Sequence, residues 1–431
     1  MEGQERTFAV TIAGVHGMDH LLKRVFPPLI PIWAVVFGFP LWQLGLLMGA
    51  RTFGAAVGMT PMGHLSDRFD RRYLLPAGFG VMGLGTLVIA GVPVLLSAPM
   101  RFSVAGQSFT GQFGLIFLAM IAMGLGTSSV HPTGYPLITA NVSTARKGTV
   151  LGMWGSASKF GDGAAPAIVG VLLLALAWHQ ILALFAVLAI GYSALLFVLL
   201  RDYETRPAGV ETDEPRESAE IDRSYRLPLA AVFAYFVIVI ASAGGVTVFI
   251  PEFINSTYGF SFSILGTELG SESTASFYFS ALLVIAGVAQ LGTGRLADRY
   301  DERFVILAYV GVAGLALIGL ATLVLTPLSL FLLLVVLGTT LFGMNPARDA
   351  LVSHLTPDER EGRVFGYIWT GALLGSAGAP VLVGYIGDIA GLRPAFLILA
   401  GGVLLSAVPI ALLSTSWVPM PGPEPGGSRA D

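Results

Sequence analysis

Long apolar runs are the feature that most limits how this chain folds. One of them, GVLLLALAWHQILALFAVLAIGYSALLFVLL at 170–200, contains no Asp, Glu, Lys or Arg. A membrane-spanning helix needs roughly 20 predominantly apolar residues, and most other apolar runs reach that length or divide into such lengths. Charged residues make up 12% of the chain, whereas a soluble domain has about 25%. A membrane barrel would instead alternate polar and apolar residues. The fold class predicted is therefore all-α and polytopic.

The apolar runs and the residues that separate them predict twelve membrane-spanning helices. Glycine accounts for 54 of the 431 residues, and small residues allow helices to approach closely in lipid. We therefore expect a tightly packed bundle. The predicted spans are about 8–36, 40–62, 73–96, 111–140, 148–175, 177–200, 228–250, 274–293, 304–326, 328–347, 363–388 and 394–415.

A charged, weakly apolar segment divides the twelve spans into two sets of six. It predicts an N-terminal bundle at 1–200, a linker at 201–227, a C-terminal bundle at 228–416 and a disordered tail at 417–431. Placing both termini in the cytoplasm puts 18 of the 24 Lys and Arg residues on that side, as the positive-inside rule requires. They include Arg68, Arg146, Arg299 and Arg348.

Two pairs of matching segments indicate that the halves are copies. GHLSDRFDRR at 63–72 matches GRLADRYDER at 294–303, and HPTGYPLITANVSTARKGTVLG at 131–152 matches NPARDALVSHLTPDEREGRVFG at 345–366. The offset falls from 231 to 214 residues between the pairs. The first half therefore has 17 additional residues, which we assign to a longer outer loop around SAPMRFSVAGQSFTGQ at 97–112.

The duplicated spans and their charged loops resemble the major facilitator superfamily over the whole chain. This resemblance implies two six-helix halves with substrate held between them near the middle of the membrane. The loop pattern departs from the superfamily's at Asp70 and Asp301, where Gly is usual, which leaves the expected tight turn open. Two shorter segments, HGMDHLLKRVFPPLIP at 16–31 and SSVHPTG at 128–134, resemble the fosmidomycin-resistance branch of drug exporters.

The two charged loops are predicted to act as cytoplasmic gates. Their carboxylates can accept hydrogen bonds at the start of a neighbouring helix, and their arginines can reach carboxylates of the other half. Retention of the loops in the cytoplasm is the alternative role of the arginines. The predicted gating residues are Gly63, Asp67, Arg68, Arg71, Arg72, Gly294, Asp298, Arg299 and Arg303.

Charged groups at mid-membrane depth are candidates for substrate or proton binding, because they are costly to place there. His16, Asp19, His20 and Lys23 fall close to one face of the first helix, and Asp19 is predicted to be the proton or substrate site. The alternative is that Asp19 and Lys23 form a self-neutralising pair. Arg51 is predicted to contact either a bound anion or Asp19.

Further candidates lie in the fourth, fifth and later helices. Lys159 and Asp162 form either a functional pair or a structural one. His131 precedes Pro132 as Asn345 precedes Pro346, and both polar side chains can satisfy backbone carbonyls freed by the proline. The alternative for His131 is that it carries a proton. The residues predicted to line the cavity are Trp154, Gln290, Tyr367 and Trp369.

These features predict a secondary transporter that exchanges a small organic solute for protons, with export of a drug or metabolite as the first hypothesis. Uptake of a small organic or phosphorylated anion is the alternative. Nucleotide-binding, nucleophile and metal-binding motifs are absent from the sequence, and the net charge of −3 gives no indication of nucleic-acid binding. We expect a monomer in the lipid bilayer of the cell membrane, without enzymatic activity, cofactor or metal.

Overall fold

The computed structural model describes residues 3–96, 100–207, 223–264, 266–355 and 361–415. Most of the predicted linker and the whole predicted tail lie outside these ranges. The helices are α1 (Gly3–Arg24), α2 (Ile30–Val36), α3 (Leu41–Ser66), α4 (Arg71–Leu95), α5 (Gly111–Thr127), α6 (Val130–Asn141), α7 (Thr144–Leu172), α8 (Trp178–Leu199), α9 (Arg223–Tyr258), α10 (Ser271–Ala297), α11 (Glu302–Thr322), α12 (Pro327–Leu337), α13 (Asn345–His354), α14 (Glu361–Ala390), α15 (Leu392–Leu405) and α16 (Ala407–Leu412).

These helices form a bundle of twelve traverses, because α1–α2, α5–α6, α12–α13 and α15–α16 each make one traverse in two pieces. Within the described ranges, nine traverses are long and apolar enough to cross a membrane. The other three are α1–α2, α3 and α7, which carry most of the charged groups predicted at mid-membrane depth. The all-α prediction for the bundle is confirmed.

Two short β-hairpins, which the sequence did not predict, lie at one end of the bundle. Strands β1 (Arg101–Val104) and β2 (Gln107–Thr110) pair antiparallel, as do β3 (Phe262–Ile264) and β4 (Thr267–Leu269). The first hairpin turns on two residues with positive φ, Ala105 and Gly106, as a two-residue hairpin turn requires. We call this end the hairpin side and the end where α1 begins the tail side.

The observed helix ends differ from the predicted ones in several traverses. The first predicted span is broken by a 3₁₀ turn at Pro27–Leu29. By contrast, α9 continues through Pro251 to Tyr258, although the span was predicted to end at residue 250. The tenth traverse contains a π-helical segment at Gly338–Phe342 and continues to His354, seven residues beyond the predicted end. Helices in a membrane bundle tolerate proline because neighbouring groups and local adjustments satisfy the freed backbone.

The two halves are in close contact on the hairpin side. A β-carbon built at Gly45 of α3 would overlap the carbonyl oxygen of Pro380 in α14, and one built at Gly384 of α14 would overlap that of Leu41. Helices α7 and α10 form the second contact, where Ser280 donates a 2.6 Å hydrogen bond to the carbonyl oxygen of Gly163. We call these two helix contacts the hairpin-side seam.

The same helices separate toward the tail side. Gly148, Gly152, Gly155, Lys159, Gly163 and Gly170 are spaced by three, four or seven residues and so share one face of α7. This face meets α10 at Lys159, Gly163 and Gly170, but a β-carbon at Gly148, Gly152 or Gly155 would meet no atom of the described residues within 4 Å. The halves are therefore closed on the hairpin side and open on the tail side, and we call this opening the tail-side mouth.

Candidate functional site

Nine ionisable side chains from four helices of the first half form one electrostatically coupled group, which we call the mid-span cluster. Five come from the C-terminal part of α1, and the others come from the middle of α3, the start of α6 and the middle of α7. Its members are His16, Asp19, His20, Lys23, Arg24, Arg51, His131, Lys159 and Asp162. The sequence predicted all of them as candidates except Arg24.

Asp162 connects α7 to α1. It accepts a 2.7 Å hydrogen bond from Nε of Arg24 and a 3.0 Å hydrogen bond from Nδ1 of His20, while Nζ of Lys159 lies 3.6 Å away. The predicted pairing of Lys159 with Asp162 is thus the longest of these three contacts. Arg24, which the sequence analysis left outside the site, is the closest cation to this carboxylate. Helical spacing within α7 could not reveal a partner on another helix.

Asp19 is completely buried and is bound to Lys23, as the i,i+4 spacing predicted. Nζ of Lys23 donates to Oδ2 of Asp19 at 2.5 Å, whereas Oδ1 has no hydrogen-bond partner among the described residues. Arg51 donates only a long 3.4 Å hydrogen bond, to Thr127, and lies over the ring of Phe26. Its Nε is buried and has no partner in the described part of the chain.

The hydrogen bonds of two histidines define their neutral tautomers. Nδ1 of His16 lies 2.9 Å from the carbonyl oxygen of Trp154, and Nδ1 of His20 lies 3.0 Å from the Asp162 carboxylate. Both partners only accept, so both Nδ1 atoms carry hydrogen. A neutral His16 therefore has a lone pair on Nε2, which is buried and has no partner among the described residues.

His131 belongs to the cluster, and its alternative structural role beside Pro132 stays a prediction. Pro132 lies in the first turn of α6 and not inside a continuous helix 111–140, because the traverse is interrupted at Ser128 and Ser129. The histidine ring meets that of His16 at 5.0 Å between ring centroids. Asn345 likewise begins α13.

The four predicted cavity residues occupy different environments. Trp154 is 2% exposed and stacks on His16 at 4.4 Å between ring centroids. It therefore packs against the cluster as a buried side chain. Gln290 donates to the carbonyl oxygen of Phe342 at 3.1 Å, which supports the π-helical segment. Tyr367 is exposed near the tail-side mouth, and Trp369 is partly buried.

Arg348 is a further candidate, which the sequence analysis assigned to a cytoplasmic loop. The structure places it inside α13, 6% exposed, because this traverse continues past the predicted end at residue 347. Its guanidinium lies 4.7 Å from the ring centroid of Phe236 and 5.0 Å from that of Trp369. Nε of Arg348 donates to Asp349 at 3.1 Å. The second half therefore contributes a charge pair of its own.

The two charged loops on the tail side share the same local geometry. Asp70 accepts a 2.9 Å hydrogen bond from the backbone N–H of Arg72 and begins α4, and Asp301 does the same with Arg303 at α11. Each aspartate has negative φ and acts as an N-cap. This explains why these loops do not need the glycine usual in the superfamily pattern.

Among the described residues, the charged side chains of these loops make no gating contact between the halves. Arg71 donates to Ser66, Arg72 to the carbonyl oxygen of Phe197, and Arg303 to Asp301 and the carbonyl oxygen of Leu413. All of these contacts lie within one half. Asp67, Arg68, Asp298 and Arg299 are exposed, and Gly63 and Gly294 lie beside them on the open side. The gating role stays a prediction.

A contact of the predicted chemical type occurs on the hairpin side. Asp388, near the end of α14, accepts hydrogen bonds from the backbone N–H groups of Leu41 and Trp42 at 2.8 and 2.9 Å. These groups begin α3, so a carboxylate of the second half caps a helix of the first, where the helix dipole favours negative charge. We call this contact the hairpin-side latch. Asp388 was not among the predicted gating residues, because it lies outside the repeated loops.

Comparisons with known proteins agree on the family. A model described as Major Facilitator Superfamily matches residues 12–267 and 253–431. The MFS-type transporter YfnC of Bacillus subtilis is 25% identical over 91% of this chain and 89% of its own length. The glycerol-3-phosphate transporter of the same organism is 24% identical over 91% and 88%.

Two further comparisons concern a local match and the fold. The multidrug resistance protein MdtG of Dickeya zeae is 37% identical, over 28% of this chain and 29% of its own length. Among solved structures, an inward-facing, unoccupied bacterial homolog of the human lysosomal transporter Spinster superimposes with a TM-score of 0.75. That match has 13% identity and covers 96% of this chain and 98% of the other. The nucleoside transporter NupG gives 0.72 at 14% identity, covering 95% and 100%.

Proposed function

Because the chain belongs to the Major Facilitator Superfamily, we propose that it is a secondary transporter that carries a small organic solute across the cell membrane by alternating access. The observation that carries this proposal is the single face of α7 that packs on α10 toward the hairpin side and is uncovered toward the tail side. The mid-span cluster lies where the contact changes, at Lys159. A solute bound there would be reached from the tail side, which the positive-inside rule assigns to the cytoplasm.

Protons are the proposed coupling ion, and the cluster contains two buried atoms with lone pairs that a proton would occupy. Nε2 of His16 and Oδ1 of Asp19 both have lone pairs and no partner among the described residues. A proton on either atom would raise the charge of the site by one without breaking an existing side-chain hydrogen bond. Since both groups lie beside the other charges of the cluster, proton binding and solute binding would be energetically linked.

The transport has two candidate directions. Proton-coupled export of a drug or metabolite, in which solute and proton move in opposite directions, is favoured by the local similarity to MdtG. Uptake of a small organic or phosphorylated anion is the alternative. Proteoliposomes distinguish the two directions, because an inward proton gradient drives accumulation of the solute for uptake and its expulsion for export. Loss of gradient-driven transport in the presence of an uncoupler is expected for both.

Thiol labelling tests alternating access directly, because the chain contains no cysteine. Ser156 is exposed and lies beside the face of α7 that is uncovered at the tail-side mouth, between Gly155 and Lys159. We expect Ser156→Cys to react readily with a soluble maleimide in the present arrangement and to be protected when solute closes the mouth. Ser414→Cys is the matched control, since Ser414 is exposed on the tail side after α16. Equal labelling of both variants under all conditions would contradict the proposal.

A further inference from the structure

The mid-span cluster contains more positive than negative charge. Lys23, Arg24, Arg51 and Lys159 supply four positive charges, whereas Asp19 and Asp162 supply two negative charges. With all three histidines neutral, the cluster therefore has a net charge of +2. Arg348 and Asp349 in the second half form a pair with no net charge, so including them leaves the net charge at +2.

The two carboxylates are already engaged. Asp162 is bound by Arg24 and His20 and approached by Lys159, and Asp19 is bound by Lys23. Arg51 is 8% exposed, and its Nε has no hydrogen-bond partner among the described residues. Asp19 is the carboxylate with which it interacts electrostatically, at longer range than a hydrogen bond. Arg51 and Lys159 are thus the two cations whose charge is least compensated.

The open mouth allows water to solvate this excess charge in the present arrangement. The side chains of Lys23, Arg24 and Lys159 are 28%, 25% and 29% exposed. Closure of the tail side would remove that water, and a charge without a partner in a low-dielectric interior costs several kcal/mol. A counter-charge of −2 that enters with the solute would remove the penalty.

On the basis of the proposed transport function, we propose that the mid-span cluster binds a small organic oxyanion with two negative charges, either a phosphate monoester or a dicarboxylate. Arg51 and Lys159 are its main charge partners. Guanidinium and ammonium groups both form charge-assisted hydrogen bonds with carboxylate and phosphate oxygens. The buried acceptors Nε2 of His16 and Oδ1 of Asp19 remain for protons or for hydroxyl groups of the solute.

A charge series on one carbon skeleton tests this proposal with the purified full-length protein. Glycerol 3-phosphate, glycerate and glycerol carry about two, one and no negative charges at pH 7.5, and succinate is a dicarboxylate of the same charge as the first. Tetraphenylphosphonium represents cationic drugs. Thermal unfolding is followed by tryptophan fluorescence at constant ionic strength, because a ligand of the native state raises Tm.

We expect stabilisation by glycerol 3-phosphate or succinate, less by glycerate, and none by glycerol or tetraphenylphosphonium. The stronger of the two dianions identifies the head group. Stabilisation by tetraphenylphosphonium or glycerol that equals that by the dianions would overturn the proposal, as would no stabilisation by either dianion. In those cases the thiol-labelling result still decides separately whether the chain works by alternating access.

Charge-removing variants locate the binding site. Lys159→Gln is expected to weaken dianion binding by about tenfold or more, because one of the two least compensated positive charges is lost. Arg146→Gln is the control, since it removes a positive charge that pairs with Glu5 near the tail end. Arg51 makes no direct contact with a carboxylate of the described residues, so its replacement leaves no carboxylate without its partner. Arg51→Gln should therefore give a similar loss of dianion affinity, and it keeps the test valid if Lys159→Gln fails to fold. Equal affinities in the control and both cluster variants would refute the assignment.

Discussion

The hairpin-side seam and the tail-side mouth are formed by the same four helices, yet one is sealed and the other open. On the hairpin side, Gly45 and Gly384 bring α3 and α14 into backbone contact, and Asp388 caps α3 from the other half. On the tail side, Asp67 and Asp298 have the same carboxylate chemistry but are exposed. In this arrangement the closing contacts of the hairpin side are formed, and the prediction is that the tail-side carboxylates form their own contacts when the mouth closes.

Steric separation of the seam should have the largest effect. Gly45→Val would place side-chain atoms where the Pro380 carbonyl lies, and overpacking of this kind costs about 1–3 kcal/mol. The hairpin-closed state would lose roughly five- to hundredfold in population. We expect slower maleimide labelling in a Gly45→Val/Ser156→Cys double variant than in Ser156→Cys alone. Gly311→Val is the control, because a β-carbon there meets no described atom within 4 Å. Unchanged labelling would mean that the seam does not hold the mouth open.

Removal of the latch should have a smaller effect in the same direction. Asp388→Ala deletes an N-cap, worth about 1 kcal/mol, and should lower the ratio of tail-open to tail-closed protein by roughly fivefold. Asp388→Asn keeps one acceptor oxygen and should lie between this variant and the wild type. Labelling of Ser156→Cys in each background measures the ratio. A ratio that rises on loss of Asp388 would contradict its role as a latch.

Loss of the tail-side carboxylate should act in the opposite direction. If Asp67 closes the tail side in the other state, Asp67→Ala should increase labelling of Ser156→Cys and slow turnover more than it weakens solute binding. The free-energy difference between the tail-open and tail-closed states is expected to shift by at most about 1 kcal/mol, since the contact is a helix cap at an exposed site. Asp298→Ala provides the matched test in the second copy. Shifts of Asp67→Ala and Asp388→Ala in the same direction would remove the distinction between the two gates.

The smallest effect on the populations is expected from the two N-caps within the halves. Asp70→Ala and Asp301→Ala should each lower the free energy of unfolding by about 1 kcal/mol and leave the labelling ratio unchanged. Hydrogen bonds from Arg303 hold the pKa of Asp301 below its usual range. Its contribution to stability is therefore present above the ordinary carboxyl pKa and is lost as the pH falls through the lowered value. A change in labelling ratio would show that these caps also take part in gating.

The sequence predicted the twelve traverses, the repeated loops and most of the mid-span cluster, because apolar length and local spacing encode them. Asp19 and Lys23 were paired correctly since both lie on one helix. Arg24 with Asp162, and Asp388 with α3, join residues more than a hundred positions apart, and helical periodicity contains no information about such partners. Arg348 was misplaced because its traverse includes a π-helical segment and extends beyond the predicted end.

Distances between spin labels on the two ends of the bundle test the central claim most directly. Val94 and Val324 are exposed on the hairpin side in the first and second halves, and Phe69 and Tyr300 are exposed at equivalent positions of the tail-side loops. We predict that conditions which close the mouth shorten the Phe69–Tyr300 distance and lengthen the Val94–Val324 distance in the paired cysteine variants. Distances that change together, or a tail-side distance that changes while the hairpin side stays fixed, would contradict the account.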